Sequence, residues 1–145
     1  MSGWSMITTG VVELPDGRRV RGRALAAGPP TGPELPDFGL YLTARPHRED
    51  GWESRWVCWP DFRLPRSPSD ALAAIADAYE RSATSRVEVA CNGGTGRTGS
   101  VIAILARYAG VPERDAVRWA REHYRPRAVE TPWQRRFVRS AVLPR

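Results

Sequence analysis

Along the 145-residue chain, short stretches of period-two alternation are followed by stretches of helical period, and the breaks fall on Gly, Pro, Asp and Ser. VVELPDGRRVRGRAL alternates about Asp16-Gly17, a hairpin signal that makes residues 10 to 25 two short strands. AAGPPTGPELPD follows, and its prolines and glycines predict a loop. FGLYLT (38 to 43) and SRWVCW (54 to 59) read as strands, separated by RPHREDG as a turn, and WPDFRLPRSP reads as a long irregular loop. Ser69 is placed to cap a helix that carries Leu72, Ile75, Ala76 and Tyr79 on one face and ends near Ser82. RVEVA (86 to 90) is a short β-branched strand, and Cys91 stands where it stops.

Beyond a glycine-rich interval, an apolar helix runs from about Arg97 to Ala109, and Gly110 suits the left-handed residue that often ends one. Pro112 opens a further helix through Val117, Trp119 and Ala120 to about His123. Thr131 caps the last helix, with Pro132 in its first turn. Strands give way to alternating strands and helices, which predicts an α/β fold: a central twisted, mostly parallel sheet flanked by helices, with an N-terminal β-hairpin. The length suits one domain over residues 1–145.

Composition changes this picture little. Hydrophobic residues at 41% and charged residues at 26% are those of an ordinary globular chain. No run of about 18 apolar residues occurs, and MSGWSMITTG lacks a basic start followed by an apolar stretch, so a cytoplasmic protein without a membrane partner is expected. The net charge of +6 invites a nucleic-acid reading. All 22 basic residues are arginine, however, and Asn92 is the one asparagine, as a GC-rich genome would produce. The arginines are also spread from Arg18 to Arg145, which fits a solvated surface and favours an anionic substrate without calling for nucleic acid. Cys58 and Cys91 alone give no disulfide framework.

The candidate chemistry lies in CNGGTGRTG, residues 91 to 99. Gly94, Gly96 and Gly99 spell a dinucleotide fingerprint, but Pro112 and another helix follow where the second parallel strand and its acidic residue belong. A nucleotide P-loop fails twice, because Cys91 replaces its first glycine and Arg97 its lysine. Cys91-x5-Arg97-Thr98 satisfies a third chemistry. A thiolate is a strong nucleophile toward phosphorus, and a helix N-terminus and a guanidinium both favour it. The backbone N–H groups of Asn92, Gly93, Gly94, Thr95 and Gly96 can form an anion cradle at the positive end of the helix, and Arg97 can grip two equatorial oxygens.

Ester hydrolysis also needs a proton for the departing oxygen. Trp59-Pro60-Asp61 lies 30 residues upstream of Cys91, just after a predicted strand, where the topology can bring it to the same sheet edge. With WPDFRLP and CNGGTGRT together, the chain resembles the cysteine-based protein tyrosine phosphatase superfamily, over residues 37–143, and its small size is closer to dual-specificity and bacterial members. The resemblance implies Cys91 as nucleophile, Arg97 as phosphate-binding arginine, Asp61 as general acid, and Thr98 as the hydroxyl that assists the leaving thiolate. It also implies no metal and no cofactor. VETPWQRRFV resembles the family's Q-loop, whose glutamine orients the hydrolytic water. Glu130 stands at its first amide position and Gln134 at the second.

The family's histidine before the nucleophile is Ala90 here, which removes a hydrogen bond that organises the loop. His47 and His123 have no ligand companions, and Cys58 is either a small buried hydrophobe or a redox partner for Cys91. Trp52, Trp56, Trp119 and Trp133 read as core or rim. The function expected is a protein phosphatase acting on a phosphorylated protein or peptide, with phosphotyrosine first. An RNA 5'-phosphate or phosphoinositide phosphatase, or a silent phosphoprotein-binding module, are the alternatives.

Overall fold

Period-two alternation in the middle of the chain becomes a five-stranded sheet in the computed structural model, which describes residues 3–30 and 32–144. The ends of the expected domain (Met1, Ser2 and Arg145) and Thr31 in the proline-rich loop lie outside the described residues. The strands are β1 (Val11–Glu13), β2 (Arg19–Ala24), β3 (Phe38–Thr43), β4 (Glu53–Cys58) and β5 (Val87–Cys91), in the order β1-β2-β5-β3-β4. Among the described residues the β1–β2 hairpin pair is antiparallel, and the pairs β2–β5, β5–β3 and β3–β4 are parallel. Parallel pairing sends the ends of β2, β3, β4 and β5 to one edge, with Ala24 level with Cys91 and Thr43 level with Cys58. Both sequence motifs therefore leave the sheet on the same side.

One face of the sheet carries Val20, Leu40, Leu42, Val57, Val87, Val89 and Cys91 into a core shared with the helices α1 (Pro68–Arg81), α2 (Gly96–Tyr108), α3 (Ala116–His123) and α4 (Pro132–Ser140). Helix α2 is the centre of that layer. Each of its residues from Gly96 to Ala106 is buried, and from Val101 to Ala106 its sequence is apolar all round, as a helix covered on every side requires. The opposite face buries Trp4, Arg21, Tyr41 and Glu88. Trp4 closes it from the N-terminal segment by donating its indole N–H to the Val87 carbonyl at 3.0 Å.

Three local expectations are corrected. The cap of α1 is Ser67, whose side chain accepts from the Asp70 N–H, and not Ser69, because Pro68 fits the first helical position where no N–H is needed. Its buried face is Ala71, Ala74, Ile75 and Ala78, with Leu72 and Tyr79 at the margin, so small residues let the helix approach. The helix expected from Pro112 begins as a 3-10 turn at Glu113–Asp115 and becomes α-helical only at Ala116. Thr131 caps α4 as expected, and with Gln134 it forms a reciprocal capping box.

Candidate active site

Cys91 is the last residue of β5 and is 2% exposed, with Thr98 Oγ1 donating to its Sγ at 3.0 Å. From there the backbone turns into α2 through a loop whose carbonyls all point outward. Asn92 O accepts from the Ala26 N–H, and Gly93 O from Arg125 Nη1 at 3.0 Å. Gly94 O accepts from the Tyr124 hydroxyl, Thr95 O from the Gly99 N–H, and Gly96 O from Ser100 Oγ at 2.7 Å. With every carbonyl fixed to the scaffold, the N–H groups of Gly93 to Gly96 are left without a protein acceptor among the described residues. They form a nest of donors at the positive end of α2.

Two glycines allow this. Gly94 has φ +68°, and a β-carbon there would stand 2.8 Å from the Ala24 nitrogen. Gly22 in β2 leaves space for the Tyr124 ring to reach Gly94 O, and burial pushes the Tyr124 hydroxyl well above the usual tyrosine range, so it stays a donor. The loop is thus organised without a histidine at position 90, by Ala26, Tyr124, Arg125 and Ser100.

Arg97 is 4% exposed. Its Nη1 is anchored on two carbonyls at the strand ends, Leu42 O at 3.1 Å and Trp59 O at 2.9 Å, while Nη2 lies 3.5 Å from Asp61 Oδ1. Its buried Nε has no hydrogen-bond partner among the described residues. Because Nε and Nη2 form one edge of the guanidinium, the anchoring presents that edge for two oxygens of an oxyanion. An orphaned buried donor of this kind points to a ligand.

Asp61 belongs to a loop held by side chains of other segments. Trp59, fully buried, donates its indole N–H to Arg63 O at 2.7 Å, Trp133 donates to Phe62 O at 2.6 Å, and Gln134 Nε2 donates to Arg63 O at 3.1 Å. Phe62 takes φ +60° and its N–H bonds Asp61 Oδ1. Gln134 is fully buried, and its Oε1 accepts from the N–H groups of Glu130 and Thr131. Its amide joins the acid loop to the start of α4 and is not turned into the cradle.

Beneath the cradle, Glu88 is fully buried three residues before Cys91 and gathers Arg21, Arg23 and Tyr41. Burial alone would raise its pKa, but hydrogen bonds from Arg23 and Tyr41 and the charges of Arg23 and Arg21 hold it below the usual carboxylate range. Arg23 Nη1 also reaches Gly28 O, and Nη2 reaches Glu49, so the cluster ties together the connections after β2 and β3. The sequence reading passed over Glu88, Tyr124 and Arg125. A glutamate inside RVEVA and a glycine inside the β2 strand were the available signals, because each is costly in a buried strand unless something meets it.

The remaining candidates fall away from the cradle. His47 pairs with Glu49, and His123 stacks on Trp119 at 4.3 Å with its Nδ1 on Trp119 O. Among the described residues, no group of three or more His, Cys, Asp or Glu is placed to hold a metal. Cys58 lies on β4 and Cys91 on β5, with β3 between them. Two strand spacings, roughly 9–10 Å, exceed the reach of a disulfide, so Cys58 is no direct redox partner. A cavity of about 590 Å³ adjoins the outer flank of the loop, where Ala24, Gly28 and Arg125 line it.

Comparison with known proteins bears on the family and the fold. The family model for protein-tyrosine phosphatase matches residues 38–144. The crystal structure of Tk-PTP in the active form superposes with a TM-score of 0.68 at 24% identity, covering 92% of this chain and 99% of that one. A glycine-to-alanine mutant form of Tk-PTP gives a TM-score of 0.61 at 29% identity, over 70% and 73% of the two chains. An uncharacterised protein of Methanocaldococcus jannaschii is 36% identical over 78 residues, 54% of this chain. The match spans 48%, about half, of that relative's length.

Proposed function

The chain belongs to the protein-tyrosine phosphatase family, and from that premise we propose that it is a cysteine-dependent phosphatase acting on phosphorylated proteins or peptides, phosphotyrosine before others. The observation that carries the reading is the buried Arg97 edge, with Nε unpartnered among the described residues, at the start of the same helix as a nest of amides without protein acceptors. In the first step Cys91 attacks phosphorus in line, the S–P bond forms, and the ester P–O bond breaks as Asp61 gives the leaving oxygen a proton. Arg97 and the amides of Asn92, Gly93, Gly94, Thr95 and Gly96 hold the equatorial oxygens through the transition state. Water then attacks the cysteinyl-phosphate, Asp61 takes its proton, and the electrons of the S–P bond return to sulfur, where Thr98 Oγ1 already donates at 3.0 Å. Gln134 serves as a positioning residue that joins the acid loop to the start of α4.

Phosphotyrosine is favoured by the rim. Phe62 and Trp133, each about half exposed, are tied together beside Asp61 and offer apolar surface to an aromatic leaving group. Turnover of phosphotyrosyl and phosphoseryl peptides, a 5'-phosphorylated RNA and a phosphoinositide by wild type, Cys91→Ser and Asp61→Ala tests the proposal. The expected result is preference for the phosphotyrosyl peptide and loss in both variants. Activity surviving Cys91→Ser would sink the mechanism. Preference for RNA or inositide would move the substrate class, and tight phosphopeptide binding without phosphate release would make the chain a recognition module.

A further inference from the structure

Beside the cradle lies a carboxylate that the mechanism above does not use. Val129, fully buried and β-branched, takes φ +62°, a conformation that such residues rarely adopt and that surrounding structure must enforce. The enforcing bonds are visible. Arg121 donates from Nε to Ala128 O at 2.9 Å and from Nη2 to Val129 O at 2.8 Å, and Gln134 Oε1 accepts the Glu130 N–H at 3.1 Å. The segment is pressed onto the first turn of α2 where two glycines make room for it. A β-carbon at Gly99 would stand 2.8 Å from Ala128 Cα, and one at Gly96 would overlap Glu130 Oε1 and lie 2.8 Å from its Cδ. The side chain delivered by this strained turn is therefore a carboxylate lying on Gly96, a wall of the cradle. It makes no ion pair and accepts no hydrogen bond among the described residues.

Asp61 is placed differently. Its Oδ1 lies on Arg97 and accepts from its neighbour's N–H, so it is engaged with the guanidinium that must grip the phosphate. Glu130 has no competing partner. Resting on the function proposed above, we propose that Glu130 is a second catalytic carboxyl, exchanging a proton with the apical oxygen of the phosphoryl group. As the S–P bond forms and the ester bond breaks, the leaving oxygen takes one proton, from protonated Glu130 in turnovers where Asp61 stays on Arg97 and from Asp61 in the others. As water forms its bond to phosphorus and the S–P electrons return to Cys91, the carboxylate that gave up its proton in the first step, Glu130 or Asp61, takes the water's proton, and inorganic phosphate leaves. Leaving group and water occupy the same apical position, so one carboxyl serves both steps.

The test is steady-state and burst kinetics of wild type, E130Q, D61N and the double variant, on p-nitrophenyl phosphate and a phosphotyrosyl peptide. Glutamine fills the same space beside Gly96 and removes only the proton. E130Q should keep KM and unfolding midpoint and lose about tenfold or more in kcat. The loss should be larger for the peptide, whose leaving group is the more basic. Adding E130Q to D61N should remove at least about another tenfold. A kcat within about twofold of the parent in both backgrounds overturns the proposal. So does a fall in kcat accompanied by a raised KM and a lowered unfolding midpoint, which is what a packing role predicts. Cys91→Ser, run alongside, separates the two readings, because activity there refutes the phosphatase mechanism itself and not the role of Glu130.

Discussion

The phosphate loop and the acid loop leave the same edge of one sheet and are held in opposite ways. Around Asn92 to Gly96 each carbonyl is fastened, to the segment after β2, to the residues that end α3, or to the first turn of α2 itself, and the strand beneath rests on the buried Glu88 cluster. Around Asp61 the backbone is fastened by two indoles and one amide, the Asp61 side chain is 54% exposed, and Phe62 lies beside it on the surface. On the proposed mechanism, the part that would meet negative charge is fixed before substrate arrives, so no reorganisation would be needed when charge develops. The part that would handle protons hangs on a few bonds that a substrate could rearrange.

That contrast can be broken at its base. Glu88→Gln leaves Arg21 and Arg23 facing each other without their carboxylate, and should cost about 3–5 kcal/mol in urea unfolding. The pH dependence has a definite sign. The folded-state pKa of Glu88 is lowered, so its stabilisation is complete above the ordinary carboxylate range and is lost as pH falls through the lowered value. Acid unfolding curves of wild type and variant should converge there.

Arg97→Lys keeps the charge but loses the two-point grip, and kcat/KM should fall by about 10²–10³, or roughly 3–4 kcal/mol. Asp61→Asn should lose on the order of 10² in kcat on the phosphotyrosyl peptide and less on p-nitrophenyl phosphate, whose leaving oxygen needs little help. The smallest changes compare the two loops directly. Tyr124→Phe removes the donor to Gly94 O and should destabilise by about 1 kcal/mol with phosphate binding weakened. Trp133→Phe removes the donor to Phe62 O, and should cost less than about 1 kcal/mol of stability while changing kcat more than KM. Equal effects on phosphate affinity from these two would remove the distinction between a fixed and a movable loop.

Much of the machinery was legible because it is local. Cys91, Arg97 and Thr98 sit within one strand-loop-helix passage, where spacing alone puts sulfur, guanidinium and hydroxyl around one centre. The strand at 38–43 was readable from its residue pattern and the Thr131 cap from the proline after it, while the strand read at 86–90 runs one residue further, 87–91, and takes in Cys91. Residue chemistry also suggested the order of events proposed above, with a thiolate attacking and a carboxyl carrying the proton.

Contacts between distant segments were decided by the tertiary structure. The burial of Glu88 depends on Arg21, Arg23 and Tyr41 from two other strands, and the outward carbonyls depend on Ala26, Tyr124 and Arg125. A period-two pattern cannot tell a charged residue facing water from one facing two arginines. In the same way, Gln134 reads as an amide near water until its bonds to Thr131 and Arg63 are seen, and Glu130 reads as a replacement until Gly96 is found beneath it. The sequence determined which groups could react. The packing of the 124–134 segment against the first turn of α2 decided which of them reach the cradle, because that depends on space left by glycines and not on any local preference.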